Sequence, residues 1–437
     1  MDFSIFAYVA ILLLVALLST RLMRVIKLPN VTGYIITGII MGPFVFGLLF
    51  NNFTFDGIKG STIYGFVDKI SWVSTVALGF IAFSIGTSFK RQTIKALGKR
   101  VIVITILEAL GASLLVIIAL MVAHFIFPQY VSWQIVLTLS AIASATAPAA
   151  TLMVIKQYNA RGPLVNTLLP VVALDDAAAL ILFAILFQLA MALSGGTITV
   201  YAILIKPLLE IIISLAIGTA LGFLISLMNS WFKSRNNRLI WCIFSVFAAL
   251  GFYYLFKSEM MGGFELSSLL ICMMAGAIYT NFVKDSNRTL DVMDRFTSPI
   301  YMMFFVISGA SLDLSIFFNP DGLIVLAIAI VYIIFRVIGK WSGAFVGASV
   351  TRCEPQVRKY IGFALIPQAG VAIGLSTTAY KLFSELYVET GNEEFQRAGS
   401  LILAIILTST LVYELIGPMV AKFALTKAHE IPETNLQ

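Results

Sequence analysis

Asp175 and Asp176 stand side by side about twelve residues inside an apolar run from roughly Pro163 to Leu193. A helix of that length crosses a hydrocarbon core of about 30 Å. Each ionised carboxylate near the bilayer centre costs roughly 2.5–3.5 kcal/mol on insertion scales, so an unpaired pair there is strongly disfavoured. Adjacent helical positions point about 100° apart, so the two side chains can share one depth and face different neighbours. One can meet a fixed cation and the other a mobile one.

Two fixed cations stand in the apolar run near residues 320–349, Arg336 and Lys340. Four residues apart on a helix, they share a face. Lys340 is about eleven residues from the end of its run, and the aspartates are eleven to twelve from the start of theirs, which predicts a common depth. Glu108, about eight residues into the run near 100–127, is the other carboxylate comparably placed and is expected to neutralise Arg336 as a supporting structural pair. Lys340 with two aspartates then carries one negative charge in excess. Such a buried cluster holds a proton or recruits a cation. A hard monovalent cation takes oxygen ligands, which Asp176, Asp175, the Thr146 hydroxyl and freed backbone carbonyls can supply. Sodium held this way is transient cargo, and no cofactor is implied. A wholly structural ion-pair network is the alternative reading of the same residues.

The carbonyls would come from two interrupted spans. One contains Thr146-Ala147-Pro148, the other Pro367-Gln368-Ala369-Gly370 with Gly374. Proline removes a backbone donor and displaces the carbonyl one turn earlier, so each helix is expected to break there. Unpaired backbone at membrane depth survives only where protein or water covers it. The two spans are the fifth and twelfth of about thirteen, so they cross in opposite directions. That order predicts inverted six-helix repeats with two crossed, discontinuous helices.

Composition fixes the class. At 59% hydrophobic and 12% charged, with mean hydropathy +0.97, the chain is predicted to be an all-α polytopic membrane protein of about thirteen transmembrane helices. The net charge of +7 does not point to nucleic acid, because the basic residues sit in short loops between apolar runs. Of 29 Lys and Arg, twenty-one gather on one side and six on the other, leaving Arg336 and Lys340 inside a span. This bias predicts an external N-terminus and a cytoplasmic C-terminus. Cys242, Cys272 and Cys353 have no metal-ligand spacing and read as small hydrophobes. The N-terminus lacks a basic n-region and a small-residue cleavage site, so Phe3–Leu22 reads as a retained first helix.

The expected organisation is scaffold and dimer helices over 1–99, then core helices over 100–193 with the first break and the Asp-Asp helix. A linker helix occupies 194–235 and further scaffold helices 236–290. Second-repeat helices, mostly core, fill 291–427, ahead of a short cytoplasmic tail over 428–437. Gly38 and Gly42 give a small-xxx-small spacing for close helix approach.

These motifs resemble those of the monovalent cation:proton antiporter superfamily, in its two-aspartate branch, over nearly the whole chain. The matching stretches are Leu28-Pro29-Asn30-Val31-Thr32-Gly33 through Gly42-Pro43, Ala145-Thr146-Ala147-Pro148, Leu174-Asp175-Asp176-Ala177, and Gly339-Lys340 with Gly343. The resemblance implies a homodimer in the cell membrane, with a scaffold holding a mobile core. It implies Asp176 as the ion- and proton-binding carboxylate and Lys340 as the partner of Asp175, although Arg336 one turn away is a second candidate partner. It also implies electrogenic exchange of two protons per sodium ion, with lithium or potassium as other cations. The family often has an aspartate where Ala147 stands. A sodium-coupled organic-anion symporter with a related broken-helix fold is the alternative. An intramembrane aspartyl protease would need a Gly-x-Gly-Asp signature that is absent, and nothing resembles a channel filter.

Overall fold

The computed structural model describes residues 3–43, 45, 60–193, 205–232, 234–257, 266–283, 286–311 and 322–432. Parts of the expected linker (194–204) and tail (433–437) lie outside the described residues. Within them the chain forms helices and turns and no strand, because in lipid a helix pairs its own backbone groups segment by segment. Among the described residues, eight helical stretches are long and apolar enough to cross a membrane.

The elements run α1 (Phe3–Val25), α2 (Asn30–Met41), α3 (Gly60–Ile70), α4 (Trp72–Gly86), α5 (Arg91–Ile126), α6 (Trp133–Ile142), α7 (Pro148–Tyr158) and α8 (Pro163–Leu193). They continue with α9 (Lys206–Trp231), α10 (Arg235–Lys257), α11 (Ser268–Phe282), α12 (Ser286–Ala310), α13 (Gly322–Val350), α14 (Pro355–Ala364), α15 (Gly370–Thr390) and α16 (Glu393–Lys427). They pack as two groups. In one, α2, α4, α9, α10, α11 and α12 contact one another, with α1 against α2. In the other, α5, α6, α7, α8, α13, α14, α15 and α16 do so.

Small residues set the closest approaches, as expected where lipid supplies no hydrophobic drive between helices. A Cβ on Gly42, the residue after α2, would stand 3.0 Å from the Ala310 Cα of α12. In the second group, α5 and α13 touch backbone to backbone: a Cβ on Gly111 would lie 2.7 Å from the Gly339 carbonyl oxygen, and one on Gly343 would lie 2.8 Å from the Glu108 Cα. These contacts fix the height of Glu108 against Lys340.

The two broken spans are α6/α7, interrupted over 143–147, and α14/α15, interrupted over 365–369. Pro148 is the first residue of α7, where its missing N–H is no loss. Gly370 opens α15, and Pro367 lies within the second break. The breaks cross and bond each other. Ala147 N donates to the Pro367 carbonyl at 2.8 Å, Gln368 Nε2 to the Ile142 carbonyl at 2.9 Å, and Thr151 Oγ1 to the Ala364 carbonyl at 3.1 Å.

From the crossing, α7 runs to the end of the molecule where Glu430 docks. There the Glu430 carboxylate accepts from Leu164 N at 2.5 Å and Val165 N at 2.9 Å, capping the first turn of α8. α15 runs the other way.

Candidate functional site

Asp175 and Asp176 lie mid-way along α8 and take different surroundings, as their angular offset predicts. Asp175 is fully buried, and its Oδ2 is 3.0 Å from Lys340 Nζ. Asp176 is buried but lines a cavity of about 610 Å³. Its Oδ1 has no hydrogen-bond partner.

Lys340 is the hub. Besides Asp175 it meets Glu108 Oε2 at 2.7 Å, and it donates a hydrogen bond to Thr146 Oγ1. Thr146, on the first break, is also 3.4 Å from the Leu365 carbonyl on the second. Lys340, Glu108 and Asp175 are all fully buried.

Glu108 is therefore not the partner of Arg336 expected from depth. The glycine contact between α5 and α13 carries Glu108 to Lys340 instead. Arg336, also fully buried, sends its guanidinium to backbone: Nε to Ala143 O at 2.9 Å, one terminal nitrogen to Ala145 O at 2.6 Å, and the other to Ile366 O at 2.7 Å. Its plane lies 4.5 Å from the Tyr413 ring centre. The three carbonyls lie in the two breaks, just past the C-terminal ends of α6 and α14, where partial negative charge accumulates. A planar five-donor group suits them better than an ammonium. Sequence inspection placed Arg336 at the right depth and missed this role.

With Glu108 included, the cluster of Lys340, Glu108, Asp175 and Asp176 is two negative charges in excess when all ionise. The N-termini of α7 and α15 offset part of that, since Ala147, Pro148, Ala369 and Gly370 line the same cavity as Asp176. Half-helix N-termini carry partial positive charge. The exposed part of the lining includes Tyr254 near the end of α10 with Lys381 and Glu385 on α15. This is the end of the molecule opposite Glu430.

The transmembrane sodium/hydrogen exchanger family matches residues 9–426 of this chain. The chain belongs to that family. It is accordingly an integral, multi-pass membrane protein of a transporter family. Its fold is similar to that of the sodium proton antiporter MjNhaP1 from Methanocaldococcus jannaschii. One structure of that protein, at pH 8, has a TM-score of 0.68 and 16% identity, with 98% of each chain covered. A second, an electron-microscopy map, has a TM-score of 0.72 and 15% identity, again with 98% of each chain covered. No curated protein matches the sequence. At such identity the exchanger fold is shared across almost the full length while the side chains differ widely.

Proposed function

We propose that this exchanger moves sodium against protons by alternating access, with Asp176 as the carboxylate that carries one or the other. The observation that carries this is an unpartnered Asp176 oxygen on the wall of a deep cavity, beside a cluster already in negative excess. A proton or a small cation relieves that excess, and each excludes the other.

In the proton-loaded state Asp176 is neutral, and Lys340 holds its proton between Asp175 and Glu108. When sodium enters, Asp176 gives up its proton and supplies an oxygen. Asp175 then turns from Lys340 to the ion, and Lys340 releases its proton. Two protons against one sodium make the cycle electrogenic. Thr146 becomes a ligand only as Lys340 lets go of its hydroxyl. The four groups titrate together and are described by shared constants. Counted over Lys340, Glu108, Asp175 and Asp176 with the cargo, the proton-loaded cluster carries one net negative charge, the sodium-loaded cluster two, and the cluster that has lost both protons and holds no sodium three, so the group containing α8 crosses the barrier only when loaded. Loop charge supports an external N-terminus and a cytoplasmic Glu430 end, a reading in which the cavity faces outward. The homodimer and the cell membrane as its location are part of the same reading.

Proton flux in proteoliposomes, with sodium, lithium and potassium added in turn at zero and imposed potential, tests this. Asp176→Asn should abolish cation-driven proton movement, and Asp175→Asn should alter the charge moved per cycle. Retained exchange in Asp176→Asn would refute the assignment. The half-helix N-termini in the cavity also suit an anion, so sodium uptake stimulated by organic anions without proton movement would favour a symporter instead.

A further inference from the structure

We propose that Lys156 and Asp294 form the latch that closes the passage at the end of the protein opposite the cavity, and that they part when the site turns to that end. This rests on the alternating-access reading above. Lys156 is on the last turns of α7, and its Nζ lies 2.6 Å from Asp294 Oδ1 on α12 and 2.8 Å from Ser84 Oγ on α4. It also stands 5.6 Å from the centre of the Tyr301 ring. The next residue, Gln157, accepts a hydrogen bond at 2.9 Å from Asn30 N, at the start of α2. One turn of the α8-containing group is thus tied to three helices of the other group.

The placement gives the tie its consequence. α7 begins at the crossing, where Ala147, Pro148 and Ala149 line the cavity with Asp176. Its other end carries the latch, eight residues or about 12 Å further on. A short helix moves as one body, so tilting it to open the far end pulls Lys156 away from α4 and α12. The Lys156 and Asp294 side chains are 27% and 44% exposed, so water can replace their bond. Such a pair is weak, as a part that must break in every cycle has to be.

The test needs no transport. Leu152, one turn deeper on the same face of α7, is buried beneath the latch. Leu152→Cys is placed in a background without Cys242, Cys272 and Cys353, in nanodiscs, and labelled with a membrane-impermeant maleimide. Lys156→Gln and Asp294→Asn should each raise the labelling rate about two- to fivefold, the range open to an exposed pair. The exchanged pair Lys156→Asp with Asp294→Lys should return it to the starting rate. Unchanged rates in both single variants, or a raised rate that the exchange fails to lower, would overturn the latch. Absence of cation-driven proton flux in the unmodified protein would instead overturn the transport reading, whatever the labelling shows.

Discussion

Lys340 lies closer to Glu108, at 2.7 Å, than to Asp175, at 3.0 Å. One ammonium stands between two buried carboxylates, so its removal strands both of them. Lys340→Met leaves both carboxylates buried without a cation, at a cost of roughly 3–5 kcal/mol. Thermal unfolding in detergent should show the loss directly. Adding Glu108→Gln should recover part of it, because a charge without a partner is removed. A double variant no more stable than Lys340→Met would contradict the shared pairing.

Arg336 invites a different substitution. Lysine keeps the charge but presents a point donor where three carbonyls of Ala143, Ala145 and Ile366 are now held by a fork. At least one buried acceptor loses its partner, at roughly 1–3 kcal/mol each. Arg336→Lys should therefore unfold at lower temperature than the unmodified protein and lose exchange with it. Unaltered stability would mean that the crossing is held by its own hydrogen bonds.

The sequence displayed the pair of breaks, the Asp-Asp helix and the depth of Lys340, because proline, glycine and intramembrane charge each leave a compositional mark. It did not display which carboxylate meets which cation. Depth counted from a span boundary slips easily: α5 starts at Arg91, nine residues before the apolar run that located Glu108. What fixes Glu108 is contact between α5 and α13 at Gly111, Gly339 and Gly343, and pairing of helices is not written in either one. The partners of Arg336 were equally hidden, since every residue has a carbonyl and only the fold decides which go unpaired.

Gly343 tests that register. A Cβ there would collide with the Leu107 carbonyl and stand 2.8 Å from the Glu108 Cα. Gly343→Ala should force α5 and α13 apart, cost about 1–3 kcal/mol as overpacked interiors do, and depress exchange by drawing Glu108 from Lys340. Gly374→Ala is the control of opposite sign, because a Cβ on Gly374 meets nothing within 4 Å. It should be neutral or slightly stabilising, as alanine is favoured over glycine within a helix. Equal melting shifts for the two variants would sink the argument.

Glu430 gives a pH prediction outside the membrane-spanning helices. Burial pushes its carboxyl above the ordinary glutamate value of 4.5; the N–H groups of Val165 and Leu164 pull it down, and nearby Glu354 pushes it up. The net direction is up, so the folded protein holds this proton more tightly than the unfolded chain. The resulting stability is complete below the ordinary value and is lost as pH rises through the raised one. Glu430→Gln keeps one acceptor oxygen for the α8 amides and does not titrate. Its stability relative to the unmodified protein should therefore increase as pH climbs from about 4 towards 7. Glu430→Ala removes the cap and should cost about 0.5–2 kcal/mol throughout. Melting temperatures of the three proteins across that range decide the matter: a gap between the glutamine variant and the unmodified protein that narrows with rising pH would reverse the sign argued here.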